Sequence, residues 1–215
     1  MPVVNSSAQS DPAAEAAVGW REYSPIDLPI ILAVSLEQFI AKGYHATSVR
    51  EIARAVGVTV PAIYYHFENK QALLVSLLEK ALEALTSKIE GALAEADDDP
   101  VSQLSALVQG IAMYMAHYSE IAFLDNERRA LTPENLAWYI HARDDIETPL
   151  QRAVDAGVES GLFQTTEPHE CCRAILAMCQ GIAGWYRMGG PISPSELAER
   201  YSHIALAVVE HRTAD

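Results

Sequence analysis

Apolar residues recur at the i, i+3, i+4 spacing of amphipathic helices along most of the chain, whereas strand-like alternation is scarce. The first helical face runs from about residue 26 to Lys42 and ends at Gly43. Later helices are predicted over residues 100–117, 119–130, 133–160, 167–187 and 194–212. We expect Pro149 to kink the helix that contains it. With the three helices described next, the pattern predicts an all-α fold of about nine helices.

Two very short helices and one long helix lie between these segments. Ser48 and Glu51 have the spacing of a capping box, and Gly57 ends the first short helix. Thr59 caps the second short helix, and Asn69 caps a long amphipathic helix that an acidic run terminates. Two short helices joined by a glycine-containing turn form a helix-turn-helix, in which the second helix is the recognition helix.

The polar and aromatic residues of this unit suit DNA. Hydroxyl side chains stand beside free backbone N–H groups at the helix starts, where phosphates bind: Thr47, Ser48 and Thr59. The second helix places Pro61, Tyr64, Tyr65 and His66 around the inward-facing Ile63, a rigid face that can touch thymine methyl groups. Lys70 offers an ammonium for a phosphate. The alternative is that the aromatic residues pack against the neighbouring helix.

Residues 31–78 resemble the DNA-binding domain of the TetR family of bacterial transcriptional repressors. The resemblance is carried, in order and at the right spacing, by Phe39, Lys42-Gly43-Tyr44, Thr47-Ser48-Val49, Ile52-Ala53, Gly57-Val58, Ile63-Tyr64-Tyr65-His66-Phe67, Lys70 and Leu73-Leu74. It implies a three-helix helix-turn-helix domain joined to a helical ligand-binding and dimerisation domain. It also implies a homodimer that binds a palindromic operator in double-stranded DNA and releases it when a small ligand enters the C-terminal domain.

The resemblance also assigns roles to individual residues. Thr47 and Ser48 would contact phosphate, and His66 and Lys70 would touch the DNA backbone. The residues that would face the major groove are Val60, Pro61, Ala62, Tyr64 and Tyr65. Many family members carry a polar or basic residue where this chain has Val60, which favours apolar or shape readout here.

The charge of the chain is unevenly distributed. The net charge is −14, yet residues 24–75 carry four cations and four anions, so the acidity lies in the C-terminal two-thirds. A neutral N-terminal unit on an acidic body leaves DNA binding open, because binding depends on the local face. We divide the chain into a flexible tail (1–23), the helix-turn-helix domain (24–75) and the ligand-binding and dimerisation domain (76–215). Three cysteines, no export signal and no membrane-length apolar run favour a cytoplasmic protein without a membrane partner.

The C-terminal segment combines apolar faces with polar-tipped aromatic residues, a composition typical of ligand pockets. The candidate ligand-binding residues are Tyr114, His117, Phe123, Arg128, Arg129, Trp138, Tyr139, His141, Met178 and Trp185. Core packing is the alternative for each of them. Arg128 and Arg129 suit an anionic group, and salt bridging to nearby acids is equally compatible with their position. The run Asn126-Glu127-Arg128-Arg129 also resembles an element of TetR-family members that respond to acyl-CoA or related ligands. The lining and this resemblance imply a small hydrophobic or acyl-CoA-like effector, and no cofactor is expected.

Small residues on the last two helices predict a dimer interface built as a four-helix bundle. The candidate interface residues are Ala177, Gly181, Gly184, Leu197, Tyr201, Ile204 and Val208. His141 and Asp145 have the spacing of helical metal ligands, but we interpret them as a solvated helix face and predict no metal site. The cysteines are interpreted as buried small hydrophobes, with a redox sensor as the alternative.

No set of residues indicates catalysis, so a non-enzymatic, ligand-responsive repressor is the predicted function. The alternatives are a helical carrier or enzyme, and a DNA-binding activator.

Overall fold

The structure, a computed structural model, describes residues 19–211, and these residues form ten α-helices and one 3₁₀ helix. The α-helices are α1 (Ile30–Lys42), α2 (Val49–Val56), α3 (Val60–His66), α4 (Lys70–Glu95), α5 (Pro100–His117), α6 (Ser119–Phe123), α7 (Pro133–Ala142), α8 (Asp144–Glu159), α9 (Pro168–Trp185) and α10 (Pro194–Val208). The 3₁₀ helix spans Leu124–Ala130. The predicted all-α class is confirmed.

Helices α1 to α3 and the start of α4 enclose the first of two hydrophobic cores. Its deepest side chains come from all four helices: Phe39, Ile52, Ile63, Leu73, Leu74 and Leu77. The capping box of Ser48 and Glu51 starts α2, and Gly57 ends it in the left-handed region with φ of 83°. This local chemistry fixes the short helices, so that the small core holds α3 with one face outward.

The second core belongs to the C-terminal body, where α5 is the central helix. Ten consecutive or near-consecutive residues of α5 are buried, and this helix packs against α4, α8, α9 and α10. A helix that is buried nearly all round needs apolar residues on every face, which is the pattern that the sequence shows there. Helix α4 takes part in both cores and joins the two domains.

Two of the predicted boundaries differ from the structure. The segment 133–160 is two helices, because the chain breaks at Arg143, while Pro149 lies inside α8. At this break the Arg143 guanidinium contacts Asp125 and Glu147. The segment 119–130 is a short α-helix followed by the 3₁₀ helix, which tightens the chain beside a cavity described below.

The predicted flexible tail is wrong for its last residues. Trp20 is only 4% exposed and belongs to the core of the C-terminal body. Tyr23 packs against the same core. Residues 1–18 of the predicted tail lie outside the described residues.

Candidate nucleic-acid interface and effector cavity

Helix α3 presents an aromatic surface to solvent. Only Ile63 of α3 is buried, while Tyr64 is 49% and Tyr65 is 86% exposed. The hydroxyl of Thr59 accepts from the backbone N–H of Ala62 at 3.4 Å and so caps the helix start. The remaining predicted contact residues of α3 lie around this surface, with Pro61 and His66 exposed and Val60 and Ala62 half-buried. The two tyrosine rings are therefore free to meet a partner.

The start of α2 lies in the same domain and carries a polar cluster. The Ser48 backbone N–H and hydroxyl both donate to Glu51 Oε2, at 2.9 and 2.8 Å. Hydrogen bonds from Lys42 and then from Ser48 lower the pKa of Glu51 to about 2. Arg50 and Arg54 are exposed on this helix and add two cations that our sequence reasoning did not single out. Their exposure beside a capped helix start was visible in the sequence pattern, since both lie off the Ile52 face.

Thr47 and Lys70 act inside the domain, contrary to the prediction that their side chains contact phosphate. Thr47 is buried, and its hydroxyl donates to the carbonyl oxygens of Gly43 at 2.9 Å and Gln38 at 3.1 Å. Lys70 Nζ donates to the carbonyl oxygens of Tyr44 and Thr47, both at 2.8 Å, and lies 4.2 Å from the centre of the Tyr44 ring. The two side chains thus hold the loop between α1 and α2.

A cavity of about 330 Å³ lies in the C-terminal body. Its apolar wall comes from four helices: Leu78, Ala81, Leu82, Leu85, Ile111, Met115, Ile146 and Leu176. Gly181 and Gly184 of α9 also line it, and no atom lies within 4 Å of where a side chain would begin at either glycine. The volume and the lining are typical of a site for a small, largely apolar molecule.

The polar residues of the cavity form one connected group around Asp125. This carboxylate accepts from the Tyr139 hydroxyl, from Arg128 Nη1 at 2.7 Å and from Arg143 Nη1 at 3.5 Å. The Gln180 amide lies against Arg143 and, with its oxygen turned to the guanidinium, accepts at 2.6 and 3.0 Å. Burial, followed by the charge of Asp125, raises the pKa of Tyr139, which therefore stays a hydrogen-bond donor. Two guanidinium groups therefore stand at this wall, and their charge is balanced by Asp125 and by Glu147, which also contacts Arg143.

The structure brings four of the ten predicted ligand residues to this cavity: Tyr114, Phe123, Arg128 and Tyr139. The Tyr114 hydroxyl is already used, because it donates to the Ala81 carbonyl oxygen at 2.9 Å. Arg129 is exposed and outside the lining, so the predicted arginine pair is divided between the cavity and solvent.

The other five predicted ligand residues also lie away from the cavity lining. His117 stacks on Tyr23 at a ring distance of 4.0 Å, and His141 is exposed and pairs with Asp144 at 3.1 Å. Trp138 and Met178 are half-buried against the two cores, and Trp185 is 51% exposed. Helical spacing could not distinguish these residues from those that line the cavity. Spacing shows which residues share a face of a helix, but it does not show what that face packs against.

Arg143 and Gln180 are two polar cavity residues that the sequence analysis did not single out. Arg143 lies at a helix break that the pattern did not reveal, and Gln180 is 37 residues further along the chain. A single polar residue within the apolar stretch of α9 was the available signal for Gln180. Without the fold, the sequence does not indicate that Arg143 and Gln180 lie next to each other.

The 3₁₀ helix connects the cavity with the helix-turn-helix domain. Asp125 and Arg128 face the cavity, whereas Glu127 Oε1 accepts from the backbone N–H of Tyr44 at 3.2 Å. Gln71 at the start of α4 donates to the Ala130 carbonyl oxygen at 3.1 Å. One short element therefore contacts both the cavity and the loop between α1 and α2.

Helices α9 and α10 share an exposed face of small and apolar residues. Ala177, Gly181, Gly184 and Ile204 are exposed on it, and Tyr201 and Val208 are half-buried at its edge. Leu197 is 2% exposed in the core of its own chain, so it cannot contribute to an interface as predicted. The face is open and continuous enough for close helix approach.

Other chemistry is sparse in the part of the chain that the structure describes. All three cysteines are buried, and burial raises the pKa of the Cys172 and Cys179 thiols to about 12. Within residues 19–211, no group of three His, Cys, Asp or Glu side chains could hold a metal ion. Among the same residues, no helix has both the length and the apolar character needed to cross a bilayer.

An all-α chain in which a helix-turn-helix domain is joined to a larger helical body with its own cavity has the architecture of a DNA-binding regulator. Comparison with known families agrees with this class. Residues 31–77 match the model of bacterial regulatory proteins of the tetR family, and residues 97–209 match the tetracyclin repressor-like C-terminal domain. The chain belongs to the TetR family, whose members are transcriptional regulators rather than enzymes.

Three similar proteins illustrate the relationship. The transcriptional repressor KstR2 of Rhodococcus jostii RHA1 is 25% identical over 82% of this chain and 87% of its own length. A TetR-family regulatory protein from Rhodococcus RHA1 is similar in structure, with a TM-score of 0.79, 26% identity, and coverage of 86% of this chain and 97% of its own. The structure of AibR in complex with isovaleryl coenzyme A and operator DNA has a TM-score of 0.74 at 21% identity, over 85% of this chain and 97% of its own.

Proposed function

We propose that this protein is a ligand-responsive transcriptional repressor that binds a palindromic operator as a homodimer and releases it when a small acyl-CoA-like effector enters the body. The observation that carries the proposal is the 3₁₀ helix, whose side chains line the cavity on one side and contact the helix-turn-helix domain on the other. The repressor KstR2, similar over most of its length, supports the direction of regulation. Because its proposed target is operator DNA, we propose that the protein acts in the cytoplasm.

The proposed DNA contacts are side chains of the helix-turn-helix domain that are at least partly exposed and are not used to hold the domain together. Tyr64 and Tyr65 face the major groove with Val60, Pro61 and Ala62 around them. Ser48, Thr59 and His66 meet the DNA backbone, and Arg50 supplies a phosphate contact that Lys70 does not. Apolar groups dominate the face of α3, which favours readout of thymine methyl groups and of DNA shape.

The proposed homodimer joins the small-residue faces of α9 and α10 across a two-fold axis. Gly181 and Gly184 allow close approach of two helices, and Ile204 adds exposed apolar area. The same two glycines line the cavity, so a partner seated on this face would cover that side of the effector site. A two-fold dimer also presents two recognition helices to the two halves of a palindrome.

The proposed effector has an apolar acyl part and an anionic remainder. The apolar wall suits the acyl group, and the guanidinium groups of Arg128 and Arg143 suit a phosphate of the remainder that displaces Asp125 at the polar wall. A volume of about 330 Å³ takes the acyl part and leaves the bulk of a coenzyme A outside. The AibR complex with isovaleryl coenzyme A supports this class of ligand on the same fold.

Release of the operator would follow from movement of the 3₁₀ helix. A ligand that draws Arg128 or Arg143 away from Asp125 changes the position of the neighbouring Glu127. Glu127 holds the Tyr44 N–H of the loop that Lys70 also holds, and this loop sets α2 beside α3. Such a ligand shifts the population only if it binds the released state more tightly.

The test uses the DNA duplex that the wild-type protein selects from a randomised pool. Fluorescence anisotropy then measures release of this duplex by isovaleryl-CoA and palmitoyl-CoA, with the free acids and coenzyme A as controls. We expect release by a thioester, and a response at least about fivefold weaker in Arg128→Ala and Arg143→Ala, since each loses a charged contact of roughly 1.5–3 kcal/mol. Arg129→Ala is the matched control, because this arginine lies outside the cavity.

Three results would count against the proposal. No selected duplex would contradict the assignment to operator DNA. Release by thioesters that is equally weakened by all three arginine substitutions would contradict the cavity as the effector site. A reporter gene whose expression falls when the protein is removed would show activation in place of repression.

A further inference from the structure

Residues 19–29, here called the strap, cross from the C-terminal body to the helix-turn-helix domain outside any helix. Trp20 and Tyr23 at one end pack against the core of the body. Ile26 and Leu28 at the other end pack against the core of the helix-turn-helix domain. The strap is thus a second connection between the domains, in addition to α4.

The anchor of the strap on the body is specific. The indole of Trp20 lies over Gly91 of α4, where a Cβ atom would stand 2.8 Å from the Trp20 Cβ. Arg21 pairs with Glu95 and lies 3.9 Å from the centre of the Trp20 ring. Glycine inside a helix is less favourable than alanine, and the close approach of Trp20 explains why a glycine stands at this position.

The middle of the strap is held beside the end of α5. Tyr23 stacks on His117 with ring centres 4.0 Å apart and planes 7° apart, and Lys88 Nζ lies 4.5 Å from the centre of the Tyr23 ring. Lys88 also donates to the Glu22 carbonyl oxygen, and the Tyr118 hydroxyl donates to that of Ser24 at 2.7 Å. Tyr118 directly precedes α6, which leads into the 3₁₀ helix of the cavity.

The same stretch contains a feature that makes the attachment marginal. The Tyr23 hydroxyl is buried, and within residues 19–211 no hydrogen-bond partner reaches it. A buried hydroxyl without a partner offsets part of what the ring stacking contributes. The Trp20 indole N–H is likewise buried without a hydrogen-bond partner among these residues, so both aromatic contacts of the strap are weakened. We therefore expect that the strap can be displaced without unfolding either domain.

We propose that the strap is a positioning element: seated on Gly91 by Trp20, it fixes the orientation of the helix-turn-helix domain relative to the body and so preorganises it for the operator. The proposal rests on the proposed function for its link to DNA. A domain already held in one orientation loses less freedom on binding, which is the general basis of preorganisation. Displacing the strap should therefore weaken operator binding even though no DNA contact is changed.

Gly91→Ala is the central variant of the test, because its methyl group removes the room that Trp20 occupies. Labelling with 5-fluorotryptophan follows the strap by ¹⁹F NMR, and Trp20→Gly assigns the Trp20 resonance. We expect that resonance to move to the solvent-exposed position in Gly91→Ala and operator affinity to fall about tenfold. Arg21→Ala is the control, since it removes an exposed ion pair and the cation–π contact on the Trp20 ring but leaves the room for Trp20 at Gly91 unchanged, and it should change affinity less than about threefold.

A double-mutant cycle of Tm values distinguishes loss of the Trp20–Gly91 contact from general damage to α4. In the Trp20→Gly background, Gly91→Ala should raise Tm by about 2–4 °C through its better helix propensity. In the wild-type background it should lower Tm. If Gly91→Ala raises Tm in both backgrounds, or leaves the Trp20 resonance unmoved, the packing of Trp20 against Gly91 is contradicted. A moved resonance with unchanged or higher operator affinity would overturn the positioning role.

If the wild-type protein selects no DNA, the proposed function fails while the strap is still tested. Hydrogen exchange of the α1 amides then takes the place of operator affinity. Faster exchange in Gly91→Ala than in Arg21→Ala supports the strap as a positioning element, and equal exchange contradicts it.

Discussion

The helix-turn-helix domain and the C-terminal body are built from contacts of different range along the sequence. In the first domain, capping residues and a glycine turn fix the two short helices within a few residues, as Ser48, Glu51 and Gly57 show for α2 and Thr59 shows for α3. In the body, the polar wall of the cavity joins Asp125, Arg143 and Gln180, which lie on three separate elements. Local contacts make a surface of fixed shape, whereas distant contacts make a site whose parts can move relative to one another.

The difference suits the roles proposed for the two regions. A DNA-reading face must keep its shape, so its helices carry their own caps. An effector site must change when it is filled, and the group around Asp125 depends on pairings that a competing anion can replace. Outside α4, these regions meet through the 3₁₀ helix, the strap, and residues of α6 and α7 that pack on the first core.

The largest expected effect comes from the dimer face. Gly181→Leu should convert the dimer to a monomer and weaken operator binding about 100-fold, because overpacking costs about 1–3 kcal/mol at each of two symmetric contacts. The monomer itself has room for the side chain, since no atom lies within 4 Å of the Gly181 Cβ position. Analytical ultracentrifugation gives the oligomeric state, with Glu159→Leu as a control that adds the same side chain on exposed α8. An unchanged dimer would mean that other faces form it.

A smaller effect is expected for the polar wall. Arg143→Gln should lower the free energy of unfolding by about 1–3 kcal/mol, because it leaves the partly buried Asp125 with one charged donor fewer. Arg129→Gln, on the exposed side of the same region, should change it by less than about 0.5 kcal/mol. Urea denaturation followed by circular dichroism measures both. Equal losses would show that Arg143 has no special place in the body.

The smallest effect that distinguishes two roles concerns Lys70. Lys70→Met should weaken operator binding about tenfold by loosening the loop between α1 and α2, while leaving the salt dependence of binding unchanged. Arg50→Ala should lower the salt slope by about one, as loss of a phosphate contact does. Anisotropy titrations at several salt concentrations measure the slope. If Lys70→Met lowers the salt slope, Lys70 contacts the DNA backbone after all.

The same division explains what the sequence could reveal. The fold class, the capping box and the exposed face of α3 follow from local pattern, and the family match confirms the fold that the motif implied. The direction of a side chain inside a domain does not follow, as Thr47 and Lys70 show, because their carbonyl partners are set by how three helices pack. Arg143 and the burial of Trp20 were missed for the same reason.

The central claim is that the exposed tyrosines of α3 form the surface that contacts the major groove of operator DNA. Tyr64→Ala and Tyr65→Ala are measured by fluorescence anisotropy on the selected duplex at fixed salt. Ile30→Ala is the control, since Ile30 is an apolar residue on α1 of the same domain whose exposure lies between those of the two tyrosines. We predict that each tyrosine substitution weakens binding at least about fivefold, as loss of a major-groove contact worth roughly 1–3 kcal/mol implies, while dimerisation and Tm stay as in the wild type. Affinity within twofold of the wild type in both variants would contradict the assignment of this face to operator DNA.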